Sequence, residues 1–173
     1  DTIYCLTAPY LDNGYWNASK LYKYNRQNTI IETINLGEIV LARSLTYNEN
    51  KGLYINVIPT YKYQWFDEYN NGSWVNEHGG IYHYNGTTIN MVFANNDGIF
   101  YSTFGNDGKM YATDTYGKVF VIDDNGDRVL CEGLFNMLKN ISFSLDGKIM
   151  YITTFGGGTY RITNYTLLDR FNK

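Results

Sequence analysis

A chain of 173 residues is long enough to bury a core, and at 44% hydrophobic it has the material for one, which excludes a disordered segment. A formal charge of −3 with no Lys/Arg cluster offers nothing to a phosphate backbone, so no nucleic-acid partner is expected. No apolar run approaches the roughly 20 residues of a bilayer-spanning helix, so no membrane insertion is expected either.

No stretch of ten or more residues keeps a helical period; short apolar runs alternate with Gly and Asn turns from end to end. In chain order these runs fall into four units, about 1–37, 38–96, 97–133 and 134–173. The second strand of each unit reads Ile3-Tyr4, Leu53-Tyr54, Met110-Tyr111 and Met150-Tyr151. The third reads Leu21-Tyr22-Lys23-Tyr24, Ile81-Tyr82-His83-Tyr84, Val119-Phe120-Val121-Ile122 and Thr159-Tyr160-Arg161-Ile162. Innermost strands are expected at Val40 to Thr46, Ile99 to Phe104 and Asn140 to Leu145, and the first unit lacks one. Outer strands are expected at Thr29 to Ile34, Thr88 to Phe93, Arg128 to Cys131 and Thr166 to Phe171, and Leu134 to Lys139 reads as a single helical turn.

Tyr111 and Tyr151 are 40 residues apart, and an Asp-Gly turn precedes each of them (Asp107-Gly108, Asp146-Gly147). Asp-Gly between alternating apolar runs marks a tight hairpin. The expected fold is therefore all-β and β-propeller-like: four repeat units of three- or four-stranded antiparallel meanders, closed within the chain or forming part of a larger propeller. The missing strand has three sources: residues upstream of Asp1, the C-terminal segment Leu167 to Lys173, or a neighbouring subunit. An oligomer or a larger assembly is expected on that ground.

Residues 106–127, NDGKMYATDTYGKVFVIDDNGD, resemble an NHL-type propeller repeat. Residues 140–162, NISFSLDGKIMYITTFGGGTYRI, resemble the repeat shared by YVTN-type propellers and the gluconolactonase and regucalcin family. The second resemblance implies a divalent metal in a central channel, held by Glu, Asn and Asp. Asn140 matches the channel Asn, but Ile141 replaces the following Gly and Thr153 stands where the channel Asp would. Asp114 lies at a comparable place in the preceding unit. Two candidate ligands fall short of the six or more oxygens a hard cation takes, so no metal or other cofactor is expected.

Other motifs read as structure. Asp123-Asp124-Asn125-Gly126-Asp127 opens like a calcium loop, yet Arg128 and Leu134 occupy the positions of its Gly and bidentate Glu; a hairpin turn fits better. Gly156-Gly157-Gly158 lacks a following Lys-Ser/Thr and reads as a hairpin connection. His83, between Tyr82 and Tyr84, reads as a packed or hydrogen-bonded ring. Cys5 and Cys131 fall in strands, where free, buried thiols are favoured over a disulfide between them, since strands this far apart in sequence need not meet.

The departures from the repeat are two long connections between second and third strands, spanning 10–20 and 60–80. They hold all three tryptophans, Trp16, Trp65 and Trp74, together with Tyr10, Tyr15, Tyr61, Tyr63, Phe66 and Tyr69. Aromatic rings interleaved with Asn, Asp and Glu suit the apolar faces and hydroxyls of a sugar, and they equally suit a protein partner. The rings also suit a capping role on the short first unit. With no Ser-His-Asp or Cys-His arrangement, the sequence favours a non-enzymatic binding or assembly module for a glycan or protein partner. Sequons at Asn17, Asn71, Asn85, Asn140 and Asn164 are compatible with an extracellular or cell-surface glycoprotein. Two alternatives stand beside it: a metal-dependent lactonase-like hydrolase, and a structural subunit of a surface layer or filament.

Overall fold

The structure, a computed structural model, describes residues 2–7, 10–12, 15–17, 19–36, 39, 41–59, 61–65, 72–76, 79–133 and 138–166. These residues form four antiparallel sheets, each drawn from one continuous stretch of chain. The first begins with β1 (Ile3–Leu6), passes through a hairpin of β2 (Tyr10–Asp12) and β3 (Tyr15–Asn17), and ends with β4 (Leu21–Tyr24) and β5 (Ile30–Ile34). Its spatial order is β1-β4-β5. The second contains β6 (Ala42–Asn48) and β7 (Gly52–Val57), a hairpin of β8 (Tyr61–Trp65) and β9 (Gly72–Asn76), then β10 (Gly80–Tyr84) and β11 (Ile89–Ala94). Its order is β6-β7-β10-β11.

The third sheet runs in simple succession: β12 (Ile99–Phe104), β13 (Met110–Asp114), β14 (Val119–Asp123) and β15 (Gly126–Cys131). The fourth has β16 (Leu138–Phe143), β17 (Ile149–Thr154) and β18 (Thr159–Thr163). The all-β class and the four sheets of three or four antiparallel strands are therefore as expected, and in the first sheet β1 is an edge strand among the described residues. Among those residues no helix is long and apolar enough to cross a membrane.

Two elements differ from expectation. Leu138 and Lys139 belong to β16 rather than to a helical turn, and residues 134–137 lie outside the described residues. A bulge between Leu138 and Asn140 puts Leu138 and Ile141 on one buried face, three residues apart, and that spacing imitates a helix. The same bulge recurs between Ala42 and Ser44 in β6 and between Ile99 and Tyr101 in β12. Secondly, Tyr165 and Thr166 form a helical turn where an outer strand was expected, and residues 167–171 lie outside the described residues. Asn164, at φ 55°, takes the chain out of the extended conformation. The Tyr165 ring then packs across Tyr111 at 5.3 Å and Phe143 at 5.1 Å.

Three cores lie between successive sheets. Leu21 and Ile34 of the first meet Leu53, Ile55 and Val57 of the second. Ile81 and Phe93 of the second meet Ile99, Met110 and Phe120 of the third. Tyr111, Val119 and Leu130 of the third meet Leu138, Ile141, Met150 and Ile152 of the fourth. Each fully buried aliphatic side chain contributes about 1.5–3 kcal/mol of burial.

Equivalent positions show how the stack ends. In the second strands, Leu53 and Ile55, Met110 and Ala112, and Met150 and Ile152 all pack against the preceding sheet, none more than 4% exposed. Their equivalents in the first sheet are Ile3, 51% exposed, and Cys5, also exposed rather than buried as expected. At the other end, Thr159 and Arg161 are exposed where the preceding sheet has the buried Val119 and Val121. The stack has one apolar end and one polar end.

Candidate functional site

The connection from second to third strand leaves every sheet on the same side, so these four connections share one rim. In the third sheet it is the tight turn 115–118, and in the fourth the glycine connection 155–158, closed by Gly158 O accepting from Thr154 N–H at 3.0 Å. In the first and second sheets it carries the aromatic residues.

Both long connections contain a two-stranded ladder of their own, where irregular loops were expected. β2 pairs with β3 in the register Tyr10↔Asn17, Leu11↔Trp16, Asp12↔Tyr15, which leaves Asn13-Gly14 as the connecting pair in sequence. Asn-Gly suits the positive φ of a two-residue hairpin turn. β8 pairs with β9 as Tyr61↔Asn76, Tyr63↔Trp74 and Trp65↔Gly72. Alternate positions of a strand share a face, so Tyr61, Tyr63, Trp65 and Trp74 occupy positions of one face of this hairpin. Phe66 and Tyr69 lie outside the described residues.

The second hairpin has a rigid base. It leaves the sheet after Ile58-Pro59 and returns at Gly79-Gly80, beside Gly98. A Cβ on Gly98 would stand 2.4 Å from Pro59 Cδ, and one on Gly79 would stand 2.7 Å from the Gly98 Cα. Only glycine permits this backbone contact. Asn95 N–H donates to Gly79 O at 3.0 Å, and Gly98 N–H donates to Asn95 O at 3.0 Å. The Thr115 hydroxyl donates to Asp97 O at 2.9 Å and ties the neighbouring turn to the same corner.

Asp114, one of the two candidate metal ligands, heads that turn. Its Oδ1 accepts from Tyr116 N–H at 2.9 Å and Lys118 N–H at 2.8 Å, while its buried Oδ2 has no partner among the described residues. Burial pushes this carboxyl above its usual range, the two backbone donors oppose the shift, and Asp97 adds to it. Asn140, the other candidate, is exposed on β16 opposite Thr153. Among the described residues no group of three or more His, Cys, Asp or Glu is placed to hold a metal ion.

Between the inner strands lies a polar cluster with no clear signal in the sequence. The Thr46 hydroxyl donates to Ser102 O, the Ser102 hydroxyl donates to Asn56 Oδ1 at 2.8 Å, and Asn56 Nδ2 donates to Ser44 Oγ at 2.9 Å. Ser44 Oγ in turn donates to Phe100 O at 2.8 Å. These groups satisfy one another and join the second and third sheets.

The calcium-like stretch is a turn, with Asp123 paired to Gly126 across Asp124-Asn125. Asp123 Oδ2 accepts from Arg128 at 3.0 Å and faces Lys109 at 3.6 Å. The Arg128 hydrogen bond holds the Asp123 carboxyl well below the usual range, assisted by Asn125 N–H and opposed by burial. A lowered native pKa means the pair stabilises fully above the ordinary carboxylate range and is lost as pH falls below it. Asp123→Asn is expected to cost on the order of 1 kcal/mol at neutral pH, with the deficit shrinking below about pH 4. Urea denaturation at pH 7 and pH 3 measures both quantities. Asp114 has the opposite sign: its contribution is most favourable in acid and is lost as pH rises through its raised pKa.

His83 stacks on Tyr54 at 4.7 Å, and its Nε2 lies 2.6 Å from Lys51 O, a structural arrangement. Cys5 and Cys131 are free thiols, and burial pushes Cys131 up to about 11, which leaves it unreactive at neutral pH. Comparison with protein-family models and with curated proteins finds no match to this chain.

Proposed function

We propose that the four sheets are consecutive blades of a β-propeller, and that the chain is a non-enzymatic binding or assembly module outside the cell or at its surface. It contacts a glycan or a protein with the aromatic hairpins on its rim. The observation that carries this reading is the placement of those hairpins: both are inserted at the same connection of adjacent sheets, so they project from one rim. A preformed ladder also lowers the ordering cost that an irregular loop would meet on binding.

The test is retention on an immobilised panel of glycans and cell-surface proteins. At least one should retain the wild-type chain. Trp65→Ala or Trp74→Ala should weaken retention by more than about tenfold at an unchanged melting temperature, the scale of an interface hot spot. Retention by no member of the panel, or equal retention of the variant carrying both substitutions, defeats the reading. Unfolding of the variants favours the capping role instead.

One observation favours the lactonase-like alternative: the buried Asp114 Oδ2 has no partner among the described residues. That reading expects calcium or zinc in the purified protein, lost in Asp114→Asn, and hydrolysis of a sugar lactone.

A further inference from the structure

In the second, third and fourth sheets the second strand has a neighbour on both sides; β1 has only β4 among the described strands. Thr7 N–H donates to Lys20 O at 2.9 Å, so in the alternating antiparallel ladder Ile3 and Cys5 also direct their backbone groups toward β4. Tyr4 and Leu6 direct theirs the other way, to the open edge. A cleft of 510 Å³ lies beside that edge, lined by Thr2, Tyr4, Leu45, Tyr47 and Leu53. Two of its lining residues, Tyr47 and Leu53, flank the β6–β7 turn, at the opposite end of those strands from the hairpin connection.

The repeat shows what occupies this place elsewhere. Innermost strands lie side by side in the series β16, β12, β6, and the cleft is the next position in it. The three strands share one pattern in register with their neighbours: Leu45-Thr46-Tyr47, Ser102-Thr103-Phe104 and Ile141-Ser142-Phe143. The ring at the third position packs on the tyrosine of the preceding second strand, Phe104 on Tyr54 at 5.4 Å and Phe143 on Tyr111 at 5.1 Å. At the first junction the equivalent rings are Tyr47 and Tyr4. Both line the cleft, and Tyr47 is still 63% exposed. At the next junction the Thr46 hydroxyl reaches across to Ser102 O; the equivalent acceptor facing the cleft is the Leu45 carbonyl.

We propose that this cleft receives an extended segment of a partner polypeptide, added antiparallel to β1 as an innermost strand. The segment carries Ser or Thr opposite Tyr4, where its hydroxyl donates to Leu45 O, and an aromatic residue opposite Ile3. Backbone pairing with Tyr4 and Leu6 supplies the affinity, and these two side chains supply the selection.

The probe is a synthetic peptide copying residues 97–106, which contain β12, added to the folded chain. Saturable binding is expected, with the amides of Tyr4 and Leu6 gaining protection from hydrogen exchange while those of Ile3 and Cys5, already bonded to β4, do not change. Replacing the peptide residues that copy Thr103 and Phe104 by Gly should weaken binding by roughly tenfold or more, as should Tyr47→Glu in the protein. Absence of binding, or binding without protection at Tyr4 and Leu6, overturns the proposal. Protection of those amides before any peptide is added also overturns it. Protection that grows with protein concentration would assign the edge to a second copy, and constant protection to the chain's own segments.

Discussion

Gly80→Ala is expected to cost more than about 4 kcal/mol, enough to leave a chain of ordinary stability largely unfolded. Gly80 opens β10, a central strand paired to β7 on one side and β11 on the other. Its φ is +148°, and a Cβ would stand 2.0 Å from Phe93 O and 3.1 Å from the Phe93 carbonyl carbon. The obstructing atoms are backbone inside a sheet, so no rotamer change relieves them. Two costs add: roughly 1–2 kcal/mol for an L side chain in a glycine conformation, and a larger one for displacing β11 from its ladder. Gly108→Ala separates them, because Gly108 has a positive φ of +77° with nothing within 4 Å of the added methyl. Urea denaturation of the two variants should show a large loss for the first and about 1 kcal/mol for the second. Equal losses would show that the contact with Phe93 adds nothing.

Tyr111→Ala is expected to lose about 3–5 kcal/mol, the range for removing a large buried ring. Tyr111 is fully buried between the third and fourth sheets, edge-on to Phe143 at 5.1 Å and to Tyr165 at 5.3 Å. Truncation removes one ring of a three-ring cluster and leaves a cavity that the sheets, held by their ladders, cannot close. The hydroxyl is a separate matter. It donates to Asp107 Oδ2 at 2.8 Å, beside the turn that precedes β13. Tyr111→Phe keeps the ring and removes the bond to Asp107, so about 1 kcal/mol is expected. Thermal unfolding distinguishes the pair, with a fall of roughly 6–20 °C for Ala and a few degrees for Phe. A Phe variant as unstable as the Ala variant would move the weight from ring packing to the hydrogen bond.

The strand plan was legible because each unit repeats an apolar–tyrosine pair, and because Asp-Gly and Asn-Gly turns separate strands of alternating polarity. The inner strand Ile99–Phe104 lies where expected, while β6 and β16 are each offset by two residues from the expected Val40 to Thr46 and Asn140 to Leu145. The bulges at Ala42, Ile99 and Leu138 shift the buried face by one residue and replace a spacing of two with three. Asn13-Gly14 signals the hairpin in the first long connection, but its Tyr and Trp residues suit an exposed binding surface as well as a strand. The Thr46–Ser102–Asn56 cluster gave no warning, since a chain so rich in Asn, Ser and Thr offers many such residues and only the fold shows which are buried. Asn56 within the apolar run from Leu53 to Val57 was the one available hint. The glycines at the hairpin base were likewise visible as residues; their close approach to Pro59 depends on sheets meeting in space.

Because each core among the described residues joins neighbouring sheets, and each sheet comes from contiguous chain, stability in this protein is coupled along one dimension. A sheet's free energy depends on itself and on the neighbours it touches, and a perturbation weakens with each sheet it must cross. Among the described residues the two middle sheets have two such neighbours and the outer two have one, so opening starts at the ends and moves inward. The same locality shortens the search on the way in. Each sheet closes within a few dozen residues and then serves as the template for the next, so the molecule can assemble in the order in which its chain leaves the ribosome.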